Sequence, residues 1–419
     1  MMNVGIVSTR LAGLDGVSLE VKKWAHLLRQ QGHDVFFCAG ELGPEFQPGL
    51  LVEAMYYLRA ANLALHARAF SAGQDRIDRL DVHQRLEYAA AHLRGALEAF
   101  LRFYAIDLLI TQNAQAIPVQ IPLGMALRDV IAQTGIPTIG HHHDLYWERE
   151  RFQVNQVDDL LRACFPSADL PNMQHVVINT HIQQELKART GLNSTFVPNV
   201  FDFATPPPGL DDYNVDFRAA IGLNADDIIF LQATRIIRRK AIERSIELVQ
   251  QLADPRIVLV LTGGSGDETD PYEDYLRGLI AETGIRALFI RDHLAEERQE
   301  INGRKVYALW DAYVHADFVT YPSEYEGFGN GLIETLYFKK PLLVNRYRVY
   351  DADIRPTGID AIEIAGEVTP EAVQAVRALL ADPARQQTMV EHNYEIGLRH
   401  FSYEVLDRLI REIVAAALA

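Results

Sequence analysis

The sequence predicts an α/β protein made of two doubly wound domains in tandem, and two observations lead to this prediction. Short apolar runs, typical of buried parallel strands, alternate with amphipathic helical stretches along the chain. The alternation is interrupted once, by a proline-rich segment, and then starts again. Each half of the 419-residue chain is long enough to bury its own core.

The first half opens with the apolar run VGIVST, residues 4–9, and an amphipathic stretch that ends at Gly32. A second apolar run, HDVFFCAG, completes a strand–helix–strand unit. Residues 50–104 are rich in Ala, Leu, Arg and Glu, which predicts one or two long helices. Further strands are predicted at residues 106–112, 136–143, 175–179 and 194–199.

A linker is predicted at residues 204–214, ATPPPGLDDYN, because it contains three consecutive prolines and no periodicity. After it, the strand runs IIFLQAT, IVLVLTGG, ALFIRD, ADFVTYPS and PLLVN alternate with helices. The predicted organisation is residues 1–203, the linker 204–214, residues 215–399 and a terminal helix at 400–419. Because ligands of such Rossmann-like sheets lie at the carboxyl ends of the strands, we expect the two domains to face a cleft.

Charge and composition exclude several classes of protein. The formal net charge of −16 argues against a general nucleic-acid binder, which needs a basic face. The only cysteines, Cys38 and Cys164, provide no disulfide framework and are typical of a reducing cytoplasm. The amino terminus lacks a signal-peptide pattern, and no apolar run reaches membrane-spanning length. We therefore expect a cytoplasmic protein, with attachment to a membrane surface left open.

The stretch EYEGFGNGLIE, residues 324–334, joins an apolar strand to a helix through a glycine-rich turn. Free N–H groups and the positive end of the helix suit a phosphate. Glu326 and Glu334 would repel phosphate, so we expect them to accept hydrogen bonds from sugar or ribose hydroxyls. The alternative is a loop in which the glycines only turn the chain and the acids are solvated.

Arg235 and Lys240 lie five positions apart, at the end of a predicted strand and near the start of the next helix. Together they could neutralise a diphosphate. The alternative is a solvated basic turn, since Arg238 and Arg239 lie in the same segment.

The segment IGHHHDLYWERER follows another predicted strand. Strand alternation puts His141 and His143 on one face and His142 on the other. A histidine at the carboxyl end of a strand suits hydrogen bonding to a substrate or proton transfer. Two alternatives are open: a zinc site that uses His141, His143 and Asp144, and a packed structural histidine.

Taken in this order, the segments resemble the retaining glycosyltransferases of the GT-B fold, family 4, over most of the chain. PSEYEGFGNGLIETLYFKKPLLV is similar to the family's signature of two glutamates separated by seven residues. TRIIRRK resembles its Arg-x4-Lys turn, with Ala241 replacing the usual glycine, and VPNVFD its Pro-Asn-Gly-x-Asp, with Val200 replacing the glycine. QQGHDV matches the family's Gly-His-x-Val, and HFSYEVL resembles the start of a final helix that crosses back onto the N-terminal domain.

The resemblance implies a role for each candidate residue. Glu334 would hold the ribose of a nucleotide diphosphate sugar, and Glu326 the transferred sugar. His143 aligns with the family's cleft histidine, so His143 and Glu326 are the expected catalytic residues. The implied donor-binding residues are Gly16, Arg235, Lys240, Glu326, Gly327, Phe328, Gly329, Asn330, Gly331, Leu332 and Glu334. Neither a metal ion nor another cofactor is implied.

The N-terminal domain would bind the acceptor. Amide and aromatic side chains suited to a sugar are present there, and the expected acceptor-binding residues are Asn113, Gln115, Asp144, Tyr146 and Trp147. For Tyr146 and Trp147 a place in the core or at its rim is the alternative.

The sequence therefore predicts a hexosyltransferase that moves a hexose, with retention, from a nucleotide diphosphate sugar to a sugar, glycan or small hydroxylated acceptor. A uridine diphosphate sugar is favoured over a guanosine diphosphate sugar. Two alternatives are a sugar-nucleotide epimerase of the same fold and a nucleotide-sugar binding protein without catalysis. A lipid-linked acceptor would add peripheral contact with the inner face of the membrane.

Overall fold

The chain divides into two compact units in the computed structural model, which describes all residues except Leu14, residues 73–75 and residues 264–270. Unit 1 comprises Met1–Pro198 and Glu404–Ala419, and unit 2 comprises Asn199–Tyr403. Each unit is described separately below.

Unit 1 is built on a parallel sheet. Its strands are β1 (Asn3–Val7), β2 (Asp34–Ala39), β3 (Gly49–Leu51), β4 (Leu108–Gln112), β5 (Thr138–His142), β6 (Met173–Val177) and β7 (Thr195–Phe196). They pair in the order β3-β2-β1-β4-β5-β6-β7, and each neighbouring pair is parallel. The central strands β1 and β4 are buried almost throughout, as expected for strands covered on both faces.

Helices follow the strands of unit 1 along the chain. They are α1 (Gly16–Gln30), α2 (Ala60–Ala69), α3 (Arg76–Phe103), α4 (Ile121–Thr134), α5 (Asp158–Cys164) and α6 (Thr180–Thr190). Helices α2 and α3 lie within the segment for which the sequence predicts one or two long helices. Leu93, Leu97 and Phe100 of α3 share one buried cluster with Leu123 and Leu127 of α4.

Unit 2 is also built on a parallel sheet. Its strands are β8 (Ile228–Gln232), β9 (Ile257–Leu261), β10 (Arg286–Phe289), β11 (Leu294–Ala295), β12 (Gln299–Ile301), β13 (Arg304–Ala308), β14 (Phe318–Tyr321), β15 (Leu342–Asn345) and β16 (Ile362–Ile364). The main sheet has the order β10-β9-β8-β14-β15-β16, with parallel neighbours. The predicted class of two Rossmann-like α/β domains is confirmed.

The helices of unit 2 alternate with its strands along much of the chain. They are α7 (Phe217–Ala220), α8 (Ile242–Leu252), α9 (Pro271–Thr283), α10 (Leu309–His315), α11 (Asn330–Tyr337), α12 (Pro370–Leu380) and α13 (Pro383–His400). Ile246 and Val249 of α8 pack in one cluster with Leu259 of β9 and with Val373 and Val376 of α12. This cluster is the core on one side of the main sheet.

A small second sheet, of order β11-β13-β12, was not predicted. Strands β12 and β13 form an antiparallel hairpin in which Ile301 pairs with Arg304. Asn302 and Gly303 make the turn with positive φ values of 52° and 76°. Asn-Gly is a strong sequence signal for such a turn, but β12 is fully exposed and has no apolar run to mark it.

The structure differs from the predicted linker at residues 204–214, because this segment belongs to unit 2. Asn214 is completely buried and donates to Asp311 Oδ1 at 3.0 Å. The Tyr213 hydroxyl oxygen lies within hydrogen-bond distance of the carbonyl oxygens of Gln299 (2.7 Å) and Val306 (2.9 Å). The change of unit falls earlier, between Pro198 and Asn199. The three prolines correctly indicate an irregular backbone in this segment. The segment nevertheless packs against the rest of unit 2 through Tyr213 and Asn214.

The terminal helix α14 (Tyr403–Leu418) returns to unit 1, which includes Glu404–Ala419. The amide of Gln31, just after α1, donates to Asp407 Oδ1 at 2.8 Å. Across the described residues, no helix is both long and apolar enough to cross a membrane.

Candidate active site

The glycine-rich turn of unit 2 lies between β14 and α11, as the sequence predicts. Gly329 has φ = 139°, and a Cβ atom there would lie 2.4 Å from the hydroxyl oxygen of Tyr347. That hydroxyl donates to the carbonyl oxygen of Phe328 at 2.8 Å. Only glycine fits both the backbone angle and the space at position 329, which explains why a glycine occupies this point of the turn.

Glu326, at the start of this turn, is buried and paired with two cations. Lys240 Nζ donates to Oε1, and Arg239 Nη1 donates to Oε2 at 2.7 Å. Burial alone would raise the pKa of Glu326, but Lys240 and Arg239 outweigh burial and hold its pKa below the ordinary value. Glu326 is therefore an ionised, two-fold paired carboxylate, and not the solvated acid of the alternative interpretation.

Glu334 is half-buried on α11 and accepts a hydrogen bond from the hydroxyl of Tyr313, 3.1 Å from Oε2. Tyr313 is itself buried on α10 and stacks on Phe338 with ring centroids 4.7 Å apart. Burial and the nearby carboxylate raise the pKa of Tyr313 well above its usual range, so the phenol stays a donor. Tyr313 thus fixes one oxygen of Glu334.

Arg235 and Lys240 occupy different environments in the turn after β8. Arg235 is exposed, whereas Lys240 is buried against Glu326. Gly263, after β9, approaches this turn so closely that a Cβ atom would lie 2.0 Å from the carbonyl oxygen of Thr234. Arg235 and Lys240 therefore differ in their exposure to solvent, although both belong to the turn after β8.

Ala241 has φ = 46° and is fully buried. This left-handed conformation favours glycine, which is the residue that the family resemblance implies at this position. Asn199, at the start of unit 2, donates to Asn330 Oδ1 at 2.7 Å and so contacts the first residue of α11. Sequence reasoning assigned no role to Asn199, although it stands in the quoted segment VPNVFD.

In unit 1 the three histidines lie at the end of β5. His141 and His143 have ring centroids 4.6 Å apart, and His141 also contacts Trp24 at 4.8 Å. His142 turns the other way, where its Nε2 is 3.0 Å from His175 Nδ1. His143 Nε2 lies 3.2 Å from Gln112 Oε1. Burial lowers the pKa of His143, so the ring is neutral at pH 7.

Asn113 organises the segment that follows β5. Its own backbone has φ = 54°, a conformation that Asn tolerates better than most residues. Its Oδ1 accepts the backbone N–H of His143 at 3.0 Å, and its Nδ2 donates to Asp144 Oδ1 at 3.2 Å. Asp144 is buried, and its Oδ2 accepts a hydrogen bond from Arg149 Nε at 2.9 Å. Both side chains have protein partners.

Gln115 lies in the interior, which differs from its predicted place on an acceptor-binding surface. It is fully buried, and its amide nitrogen donates to Ser167 Oγ at 2.9 Å. Its amide type suited a sugar, but nothing in the local sequence indicated that the side chain points inward.

Tyr146 and Trp147 are half-buried in a short 3-10 turn with ring centroids 5.1 Å apart. Trp147 lies beneath Arg189, whose guanidinium carbon is 5.4 Å from the indole centre. Glu148 follows them, and its Oε2 accepts the backbone N–H of Leu145 at 2.7 Å. Burial raises the pKa of Glu148 to about 7, which sequence spacing did not indicate.

Gly16 is the first residue of α1, and a Cβ atom there would meet no heavy atom within 4 Å. The preceding residue, Asp15, caps the helix by accepting the N–H groups of Val17 (3.0 Å) and Ser18 (3.1 Å). The structure therefore places a carboxylate next to Gly16, which the resemblance implied to be a donor-binding residue. The role of Gly16 in donor binding stays a prediction.

The zinc alternative has no ligand set in the described ranges, where no three His, Cys, Asp or Glu side chains converge in a way that could hold a metal ion. A groove of about 670 Å³ in unit 2 lies at the amino ends of the strands, lined among others by Arg256, Asp317 and Lys340. The predicted site residues are not among its lining residues, so this groove is distinct from the candidate site.

Comparison with known protein families and solved structures indicates which class of protein this chain belongs to. Residues 215–396 match the family described as glycosyl transferases group 1. The fold resembles that of the sucrose-phosphate synthase of Thermosynechococcus elongatus, with a TM-score of 0.69 and 18% identity over 99% of this chain and 100% of that one. This likeness concerns the fold alone and agrees with a GT-B glycosyltransferase.

Two curated relatives extend over nearly the whole chain. The mannosylglucosylglycerate synthase of Petrotoga mobilis is 32% identical over 439 residues, covering 99% of this chain and 96% of the relative. The enzyme of the same name from Thermotoga maritima is 30% identical over 446 residues, covering 99% and 100%. The chain therefore belongs to the glycosyl transferases group 1 and is a glycosyltransferase, which confirms the family resemblance.

Proposed function

We propose that the protein transfers a mannosyl group from a nucleoside diphosphate sugar to glucosylglycerate and so forms mannosylglucosylglycerate. The observation that carries this proposal is the name shared by two relatives that match the chain from end to end. The product name implies a hexosyl acceptor that ends in glycerate, a small hydroxylated and anionic molecule. The proposal thus narrows the predicted hexosyl transfer to one acceptor.

The donor is proposed to bind unit 2 at the glycine-rich turn. Buried Lys240 supports this assignment, because a cation in a poorly solvated place binds a diphosphate more strongly than one in water. Arg235 is proposed as the second phosphate ligand. Glu334, held by Tyr313 through one oxygen, is proposed to accept a hydrogen bond from the ribose.

Transfer is proposed to proceed with retention and without a covalent intermediate. The acceptor hydroxyl would attack the anomeric carbon from the leaving-group side, the bond from that carbon to the diphosphate would break, and a diphosphate oxygen would take the hydroxyl proton. Both oxygens of Glu326 are paired with cations, and such a carboxylate is a weak nucleophile. Glu326 is therefore assigned to sugar binding. The leaving diphosphate gains negative charge, which Arg235, Lys240 and the amino terminus of α11 would stabilise. No divalent metal is needed for that task.

The acceptor is proposed to bind unit 1 near the carboxyl end of β5. His143, neutral at pH 7, can accept or donate a hydrogen bond to a hydroxyl. Asp144, Tyr146 and Trp147 are proposed to contact the acceptor, with Asn113 holding His143 and Asp144 in place. Gln115 is left out of this set because it is buried in the interior.

The test is product formation with purified protein. Uridine and guanosine diphosphate mannose and glucose are each incubated with glucosylglycerate, with glucose and without acceptor, and products are analysed by mass and by NMR of the new anomeric centre. We expect one added hexose on glucosylglycerate, with the anomeric configuration of the donor, both with and without EDTA. Release of an altered sugar nucleotide without acceptor would instead identify an epimerase. Ligand-induced thermal stabilisation without turnover would identify a binding protein.

A further inference from the structure

Arg239, the residue before Lys240, has a different environment from its neighbour Arg238 in the basic turn of unit 2. Arg238 is exposed, with its guanidinium carbon 5.6 Å from the centre of the Tyr272 ring. The Arg239 side chain is only one third exposed and turns toward the glycine-rich turn. The side chains of these two adjacent arginines therefore lie in different surroundings.

Arg239 joins the turn after β8 to the segment before the glycine-rich turn. Its Nη1 donates to the carbonyl oxygen of Tyr325 at 2.8 Å and to Glu326 Oε2 at 2.7 Å. Its backbone carbonyl accepts the N–H of Glu324 at 2.9 Å. One residue thus bonds three consecutive residues of the segment that leads into Gly327.

The Glu326 carboxylate is held through both oxygens, since Lys240 contacts Oε1 and Arg239 contacts Oε2. A carboxylate with one cationic partner can rotate about its Cγ–Cδ bond. Partners on both oxygens fix its plane as well as its position.

We propose that Arg239 is a positioning residue of the donor site, which fixes the Glu326 carboxylate and ties the glycine-rich turn to the segment that carries Lys240. The proposal rests on the proposed function only for the identity of the ligand as a nucleoside diphosphate sugar. Arg239 acts through Glu326 and through the backbone, and not as a phosphate ligand.

A positioning role has a pH signature. Burial raises the pKa of Glu326, and the two cations oppose this effect. Without Arg239 the pKa of Glu326 rises, so the carboxylate is protonated at a higher pH than in the unchanged protein. Activity that requires ionised Glu326 is then lost at a higher pH on the acidic side.

The experiment compares Arg239→Met, Arg239→Lys and the matched control Arg238→Met. We measure kcat and KM for the donor between pH 4.5 and 8, and nucleoside diphosphate affinity by calorimetry. For Arg239→Met we expect kcat to fall about tenfold or more, the acidic limb of kcat to move to higher pH, and affinity to change by less than about threefold. Arg239→Lys should recover part of kcat, and Arg238→Met should match the unchanged protein.

Two outcomes would overturn the proposal. Unchanged kcat and an unchanged acidic limb in Arg239→Met would remove Arg239 from the site. A loss of nucleoside diphosphate affinity as large as that of Lys240→Ala would make Arg239 a phosphate ligand instead.

A second measurement does not depend on turnover, so failure of the proposed function can be told apart from failure of this inference. Unfolding of Arg239→Met is followed at pH 4 and pH 7, alone and combined with Glu326→Gln. Because the Arg239–Glu326 pair stabilises the fold only while the carboxylate is ionised, the destabilisation should be larger at pH 7 than at pH 4. With Gln at position 326 this pH dependence should vanish. A pH-independent effect in both backgrounds would contradict the pairing.

Discussion

The carboxyl ends of the two parallel sheets carry opposite kinds of side chain. In unit 2, Lys240 and Arg239 surround one buried carboxylate, so the cluster is ionic and has surplus positive charge. In unit 1, the backbone N–H of His143, whose ring is neutral, donates to the side-chain amide of Asn113, and Asp144 is already paired with Arg149. The same fold thus carries an ionic edge in unit 2 and an edge of hydrogen-bonded polar groups in unit 1, and our proposal assigns the first to the charged donor and the second to the acceptor.

The sharpest way to separate the two edges is His143→Ala in unit 1. We expect turnover to fall by about a hundredfold or more, the loss typical of a positioned acid–base or hydrogen-bonding group. Nucleoside diphosphate affinity should not change, because that ligand is assigned to unit 2. Activity assays and calorimetry on one sample decide between a functional and a structural histidine.

His142→Ala is the matched control, because its ring pairs with His175 on the other face of β5. We expect a lower melting temperature, since the substitution leaves a cavity and an unpaired His175, with activity per folded molecule preserved. If His142→Ala lost turnover and His143→Ala kept it, the functional face of β5 would have been assigned one residue out of register.

Lys240→Ala tests the ionic edge. We expect nucleoside diphosphate affinity to fall more than about tenfold, in line with the 1.5–3 kcal/mol of a charge-assisted hydrogen bond. Isothermal calorimetry measures the effect, and Arg238→Ala, with its exposed side chain, should bind normally. Equal affinity in the Lys240 variant would remove this residue from the donor site.

A smaller effect is expected from alanine substitutions at one glycine of each unit, Gly329 in unit 2 and Gly16 in unit 1. Gly329→Ala forces a side chain into a positive-φ position and against the Tyr347 hydroxyl, so we expect a loss of about 1–3 kcal/mol in the free energy of unfolding. Gly16→Ala should be tolerated, since its Cβ atom would meet open space. Chemical denaturation measures both, and a double variant with Tyr347→Phe should recover part of the loss at position 329.

The last test concerns Glu148, whose pKa burial raises to about 7. A carboxyl group with a raised folded-state pKa binds its proton more tightly when folded, so its contribution to stability falls as the pH rises from about 4.5 to about 7. Glu148→Gln imitates the protonated group and should gain stability relative to the unchanged protein over this window. Thermal unfolding of both proteins at pH 5 and pH 8 measures the difference, and a constant difference would contradict the raised pKa.

Much of the fold could be predicted from the sequence because buried parallel strands need continuous apolar runs. VGIVST, IIFLQAT and IVLVLTGG all contain strands of the parallel sheets. Strand β12 escaped prediction because it is solvated and polar, although Asn302 and Gly303 carried the signal for its turn. The run of three prolines predicted a linker because it indicates an irregular backbone. The hydrogen bonds of Tyr213 and Asn214 to the rest of unit 2 form only on folding and could not be predicted from the sequence.

The residue types of the candidate site could also be predicted, but not their pairing. Glu326 and Lys240 are both evident from sequence spacing, yet their direct contact depends on how two separate turns meet after folding. Arg238 and Arg239 are indistinguishable in sequence, and only the direction of the turn sends one to Glu326 and the other outward. The interior position of Gln115 could not be predicted for a similar reason, because an amide suits a ligand and an interior hydrogen bond equally well.

The three tryptophans give the protein a built-in set of optical probes. Trp24 is buried against His141, Trp147 is half-buried beneath Arg189, and Trp310 is half-exposed in unit 2. The fluorescence of an indole ring shifts to longer wavelength when its surroundings are more polar. The three rings should therefore emit at different wavelengths. Variants that retain a single tryptophan would therefore report on each location without an attached dye. If Trp147 contacts the acceptor as proposed, stopped-flow emission from this ring would time acceptor binding independently of any chemical turnover.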